Sequence, residues 1–167
     1  MEKLADKVEK MLEGMLSLYK ELECLLVQEK GYIVDMAVDA LWETTAQKKR
    51  IALNLEKLQK IMRDLLEKRA AELNMDAAAF TFSEFIQRMP DSDEIKSDFR
   101  KHRIAVETCK KNAMGLAAAN KKYIEEHLSM ISGIFSLIAE TVHKKQYTRS
   151  GTLMQNREKT RLIHAEV

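Results

Sequence analysis

The chain is poor in the residues that break helices and turn strands. It has one proline (Pro90) and five glycines in 167 residues, and aromatic residues make up only 6%. Sheets need strands rich in β-branched and aromatic residues, bounded by regular turn signals, and this composition offers neither. The glycines (Gly14, Gly31, Gly115, Gly133, Gly151) stand apart from one another. No GxGxxG or Walker loop can be built from them, so a backbone cradle for a nucleotide phosphate is unsupported. The two cysteines, Cys24 and Cys109, form no CxxC and no framework of spaced pairs. They are expected to be small core residues in a reducing compartment. No apolar run approaches the ~18–20 residues that span a bilayer, and the Met-Glu-Lys start has no signal-peptide h-region. The expectation is a cytoplasmic protein with no membrane insertion.

Charge of one sign is also scarce. The 28 basic and 26 acidic residues leave a net charge of +2, too small to argue for nucleic acid or an anionic membrane. Its distribution is uneven. Residues 143–167 hold six basic residues (Lys144, Lys145, Arg149, Arg157, Lys159, Arg161) against Glu158 and Glu166, leaving 22 basic and 24 acidic residues elsewhere. A mildly acidic body therefore ends in a basic tail. Tyr147 is the one stacking aromatic in that tail, too little for nucleic-acid binding.

What the chain has in abundance is helical periodicity. Leu4, Val8, Met11, Met15, Leu18, Leu22 and Leu25 alternate steps of four and three, and Leu12, Leu16, Tyr19 and Leu26 widen the stripe. That is the pattern of a bundle helix over about residues 2–30. Gly31 is a place for a break, although Tyr32 to Ala40 fits a continued helix equally well. A second helix is expected over about 38–73, on Leu41, Thr44, Lys48, Ile51, Leu55, Leu58, Met62 and Leu65. Its seam lysine either lies along the seam with its ammonium in water or fixes register. Asn74 is a suitable terminator. Thr81-Phe82-Ser83-Glu84 reads as a capping box before a short helix, Phe85 to Met89, which Pro90 stops. Asp91-Ser92-Asp93-Glu94 is a second capping signal. It opens a long helix over about 93–143, on Ile95, Phe99, His102, Val106, Cys109, Ala113 and Leu116, then Ile124, Leu128, Ile131, Phe135, Ile138 and Val142. The fold class expected is all-α: an elongated antiparallel bundle of coiled-coil-like helices with one short helix. Residues 1–143 are expected to form the bundle domain and residues 144–167 a flexible basic tail that orders on binding; Gln146 to Asn156 carries no helical stripe, and Arg157 to Val167 suits a brief amphipathic turn through Leu162 and Ile163.

Catalytic and metal chemistry find little support. A di-iron bundle needs two Glu-x-x-His motifs, and only Glu140-x-x-His143 has that spacing. His102 and Cys109 share a face, but zinc requires two further ligands that the spacing does not supply; a core histidine satisfied by a neighbour is expected instead. The chain is read as a non-enzyme that takes no cofactor and no metal. Its ten methionines either fill core gaps or form adaptable partner surfaces.

Three segments carry a likeness to a known family. Thr44-Thr45-Ala46-Gln47-Lys48, continuing through Leu55, Leu58 and Arg63, is similar to its seam lysine, leucine ladder and later arginine. Asn120-Lys121-Lys122-Tyr123-Ile124-Glu125-Glu126-His127-Leu128 resembles its asparagine with apolar residues four and eight positions on. Tyr147-Thr148-Arg149-Ser150-Gly151 resembles its tail motif. In these the chain resembles the FlgN-type flagellar export chaperones of bacterial type III secretion. The resemblance implies a cytoplasmic chaperone that binds the C-terminal helices of the hook–filament junction proteins FlgK and FlgL, prevents their premature assembly and delivers them to the export gate protein FlhA. It implies gate docking through Tyr147, with Gly151 in the same motif. By adjacency to the tail, the substrate helix is expected against Ile131, Ile134, Phe135 and Ile138, with Leu153 and Met154. The reading that competes is a generic coiled-coil scaffold, a self-associating homo-oligomer whose seams satisfy one another.

Overall fold

A computed structural model describes residues 2–76, 78–90 and 92–143, with side chains over residues 4–139 of these. Four helices account for the regular structure: α1 (Glu2–Val34), α2 (Val38–Glu72), α3 (Phe82–Gln87) and α4 (Asp93–His143). No strand occurs among the described residues. The chain divides into two compact units, Met1–Ile124 and Glu125–Val167. The first is a helical bundle; the described part of the second is the C-terminal stretch of α4.

Within the bundle α1 and α2 are antiparallel. Lys48 near the start of α2 pairs with Glu29 near the end of α1, Gln59 donates to the Tyr19 hydroxyl at 3.3 Å midway, and Leu4 meets Leu65 and Arg69 at the other end. α4 runs parallel to α1: Phe99 and His102 lie beside Ala5 and Glu9, and Asn120 reaches the Leu26 carbonyl. The chain thus runs up, down and up, and α3 belongs to the connection that turns it back.

The core follows the seams read from the sequence. Val8, Met11, Leu12, Met15, Tyr19, Leu25 and Leu26 of α1 pack with Ile51, Leu55, Met62 and Ala70 of α2. Phe80, Phe85, Ile86 and Met89 close the end of the bundle where the connection lies. From α4 come Phe99, Val106 and Ala113, each seven residues from the last. Ile51, Phe85 and Ile86 are at most 2% exposed, and burying each such side chain contributes about 1.5–3 kcal/mol. Gly14 has a packing reason: an added Cβ would lie 3.3 Å from Leu58 Cδ1, so α2 comes close to α1 there.

Both long-helix ends share one device. At the end of α2, Asn74 takes φ 52°, Met75 N–H donates to the Ala70 carbonyl (2.9 Å) and Asn74 N–H to Ala71 (3.1 Å). This is a Schellman motif, which satisfies the last carbonyls. At the end of α1, Met36 takes φ 52°, with Ala37 N–H donating to Tyr32 (2.9 Å) and Met36 N–H to Ile33 (3.2 Å). Gly31 therefore does not break α1. The helix passes through it, and the reversal falls at Met36, a residue with a Cβ penalty in the left-handed region. The capping box forms as read, Glu84 N–H donating to Thr81 Oγ1 (3.3 Å) and Thr81 N–H to Glu84 Oε2 (2.8 Å). α3 nevertheless spans Phe82–Gln87 rather than Phe85–Met89, because the residues of a capping box are themselves the first turn.

Two expectations about single residues are corrected. Cys24 is exposed rather than in the core, since it falls between the seam rows at Leu22 and Leu25; Cys109 is partly buried and free. His102 is only partly buried rather than a core residue, and its Nδ1 has no hydrogen-bond partner.

Candidate partner-binding site

Each unit carries one feature of note: the first a buried clasp between α1, α2 and α4, the second an exposed apolar stripe on its stretch of α4. The clasp consists of Glu29, Lys48 and Asn120. Glu29 is 5% exposed and Asn120 2%. One Glu29 oxygen, Oε1, receives the Lys48 ammonium. The other, Oε2, accepts from Asn120 Nδ2 at 3.0 Å, and the same amide donates to the Leu26 carbonyl at 2.7 Å. One carboxylate thus joins three helices. A buried charge is tolerable only when paired and hydrogen-bonded, and the Glu29 carboxylate has both, from the half-buried Lys48 and the buried Asn120. Thr44, one turn before Lys48 and 4% exposed, satisfies itself by donating to the Ala40 carbonyl at 2.8 Å. Lys48 lies on the seam, 26% exposed at its side chain, with its ammonium on Glu29.

Glu29 was missed by the sequence reading, although the signal was there. Leu25 plus a step of four is Glu29, so an acid stands on the α1 seam as a lysine stands on the α2 seam. Asn120 is likewise one step of four beyond Leu116. The steps Leu116, Asn120, Ile124 and Leu128 are all fours, and successive fours carry a stripe around the helix instead of along it. The apolar stripe changes phase at the position where the second unit begins.

Beyond that point the stripe is exposed. Leu128 is 61% exposed, Ile131 37%, Ile134 51%, Phe135 65%, Leu137 65% and Ile138 52%. Leu128, Ile131, Phe135 and Ile138 keep the four–three alternation of a seam, while Met130 and Leu137 broaden it toward half of the helix circumference. From Leu128 to Ala139 there is no charged residue. The intervening hydroxyls do not interrupt it; Ser136 donates to its own helix at the Ser132 carbonyl (3.1 Å). Large apolar side chains gathered in this way mark an interaction surface. Of the residues assigned to substrate binding, Ile131, Ile134, Phe135 and Ile138 are brought together on this stretch. Leu153 and Met154, the tail pair Tyr147 and Gly151, and residues 144–167 as a whole lie outside the described residues, as do the side chains of Val142 and of Glu140 and His143.

The methionines divide between core and surface. Met11, Met15, Met62 and Met89 fill the core, whereas Met36, Met114 and Met130 are exposed. No group of three or more metal-ligating side chains occurs among the described residues. No helix among them is long and apolar enough to cross a membrane.

The fold and these features define a helical bundle with an exposed apolar stretch on one helix. The family model described as FlgN protein matches residues 1–155. The chain belongs to the FlgN family, the flagellar export chaperones that serve hook-associated proteins. No curated protein and no solved structure matches it.

Proposed function

We propose that this chaperone holds the C-terminal helical segments of FlgK and FlgL against the stripe around Ile131, Ile134 and Phe135 and delivers them, in the cytoplasm, to the export gate protein FlhA. The observation that carries the reading is the exposure of a seam-patterned, uncharged helix surface over Leu128–Ala139. Water-exposed seam positions gain free energy when an amphipathic helix lays its apolar face on them. A partner segment matched to this surface is apolar and weakly charged along the contact. That fits segments which pair with one another in an assembled filament and must be kept apart before assembly.

The division of labour follows from the chain's layout. Residues 1–143 supply the bundle and the substrate face; residues 144–167 supply a basic docking tail in which Tyr147 and Gly151 meet the gate. Removing residues 144–167 tests this: helix content and melting persist, FlhA binding is lost, and capture of a FlgK or FlgL C-terminal peptide weakens to the extent that Leu153 and Met154 contribute to it. Loss of the fold on truncation would make the tail part of the core and overturn this assignment. Light scattering tests the competing scaffold reading, which requires an obligate homo-oligomer that takes up no substrate helix.

A further inference from the structure

The bundle carries a second surface of different chemistry, within the Met1–Ile124 unit and independent of the apolar stripe. A groove of about 610 Å³ lies along α4 beside α3. Its apolar part is Ile86, 1% exposed, and Ile104, 66% exposed. Arg100, Arg103 and Lys111 line it, with Glu107 as the one carboxylate. Arg103 is held in place: its Nη1 donates to Ser83 Oγ at 2.6 Å, and its guanidinium stands 5.6 Å from the Phe82 ring centroid. Among the described residues none of Arg100, Arg103 and Lys111 makes an ion pair. This is a local excess of cations on a body whose charges otherwise sum slightly negative, as counted from the sequence.

We propose that this groove docks an acidic, amphipathic helical segment of a partner polypeptide. Arg100 and Lys111 stand about three helical turns apart on α4, with Ile104 between them. A helix lying lengthwise can set an apolar side chain on Ile104, 66% exposed, and carboxylates against the cations at either end. Arg103, already oriented, loses little side-chain entropy in accepting a bidentate carboxylate. Charge excludes the nearest alternative occupant. The chain's own residues 144–167 are basic and are repelled by the same cations. The partner is therefore acidic, where the partner proposed for the stripe is weakly charged along its contact.

Two synthetic helical peptides of about 20 residues, sharing a leucine stripe but flanked by glutamates in one and lysines in the other, test this against the full chain by fluorescence anisotropy. The glutamate peptide is expected to bind, more weakly as salt rises, and the lysine peptide not to bind. Arg100→Glu with Lys111→Glu, both exposed positions, should weaken the glutamate peptide on the order of tenfold. Phe135→Asp, which removes the apolar stripe instead, should leave that binding unchanged. The proposal fails if the two peptides bind equally, or if the charge reversal has no effect while Phe135→Asp abolishes binding. It fails also if a single-stranded oligonucleotide of equal charge binds more tightly than the glutamate peptide.

Discussion

Lys48 and Asn120 hold opposite oxygens of one buried carboxylate, that of Glu29. Neither contact is local in the chain, and together they tie α1, α2 and α4 at one level of the bundle. A slip of α2 by one turn would leave the Glu29 charge buried without its ion-pair partner, and a slip of α4 would leave its other oxygen without a donor. The clasp therefore selects one register from the several that a repeating leucine seam would accept.

This gives a cycle that can be measured. Lys48→Met alone should destabilise the protein by about 2–4 kcal/mol, because it strands the Glu29 carboxylate. Glu29→Met combined with Lys48→Met should cost markedly less than Lys48→Met alone, since no charge is then left unpaired. Urea denaturation followed by circular dichroism reads both values. Additive losses would show that the pair is not coupled.

The two left-handed helix ends differ in residue, and that difference is testable. Met36 is 56% exposed, so Met36→Gly sacrifices little packing while relieving a left-handed residue of its Cβ. The expected gain is about 0.5–1 kcal/mol. Asn74→Val puts a β-branched side chain at the same φ and should cost about 1–2 kcal/mol. Thermal melts of the two variants should move in opposite directions.

Thr81→Ala removes the acceptor for Glu84 N–H and should cost about 1 kcal/mol. Because Phe85 and Ile86 of α3 are core residues, the loss should appear as a lower melting temperature of the whole bundle, not as local fraying of a six-residue helix.

Most of the fold is legible in the sequence because periodicity is a dense signal. Seams such as Val8, Met11 and Met15, or Phe99, Val106 and Ala113, repeat often enough that a single exception does not hide them. What escaped was carried by single residues. The α1–α2 reversal sits at Met36, where no glycine or asparagine announces it, while Gly31 falls inside the helix. Glu29 escaped because a charged residue at the end of an apolar row reads as the row's end; its burial becomes intelligible only once Lys48 and Asn120 are seen around it. Of the candidate site, the stripe from Leu128 to Ile138 was legible as a seam, but whether that seam is covered or exposed is a property of tertiary packing. The resemblance supplied Asn120 without its role, which the hydrogen bonds to Leu26 and Glu29 now give.

The apolar stripe of α4 offers an internal control. Gly133 lies on the opposite side of the helix from Phe135's row, and an added Cβ there meets nothing within 4 Å. Gly133→Ala should raise helix stability by up to about 1 kcal/mol and leave substrate capture intact. Reduced capture would place Gly133 in the contact and widen the binding face beyond the seam.

The central claim is that the exposed stripe holds the substrate helix, and its most direct test is titration calorimetry of FlgK and FlgL C-terminal peptides against the full chain and its Phe135→Asp variant. Phe135 is 65% exposed, so the variant should melt within about 0.5 kcal/mol of the original. Its affinity should fall by roughly thirtyfold or more, as expected when a charge replaces a central aromatic anchor. An unchanged affinity in a folded Phe135→Asp variant would contradict the account.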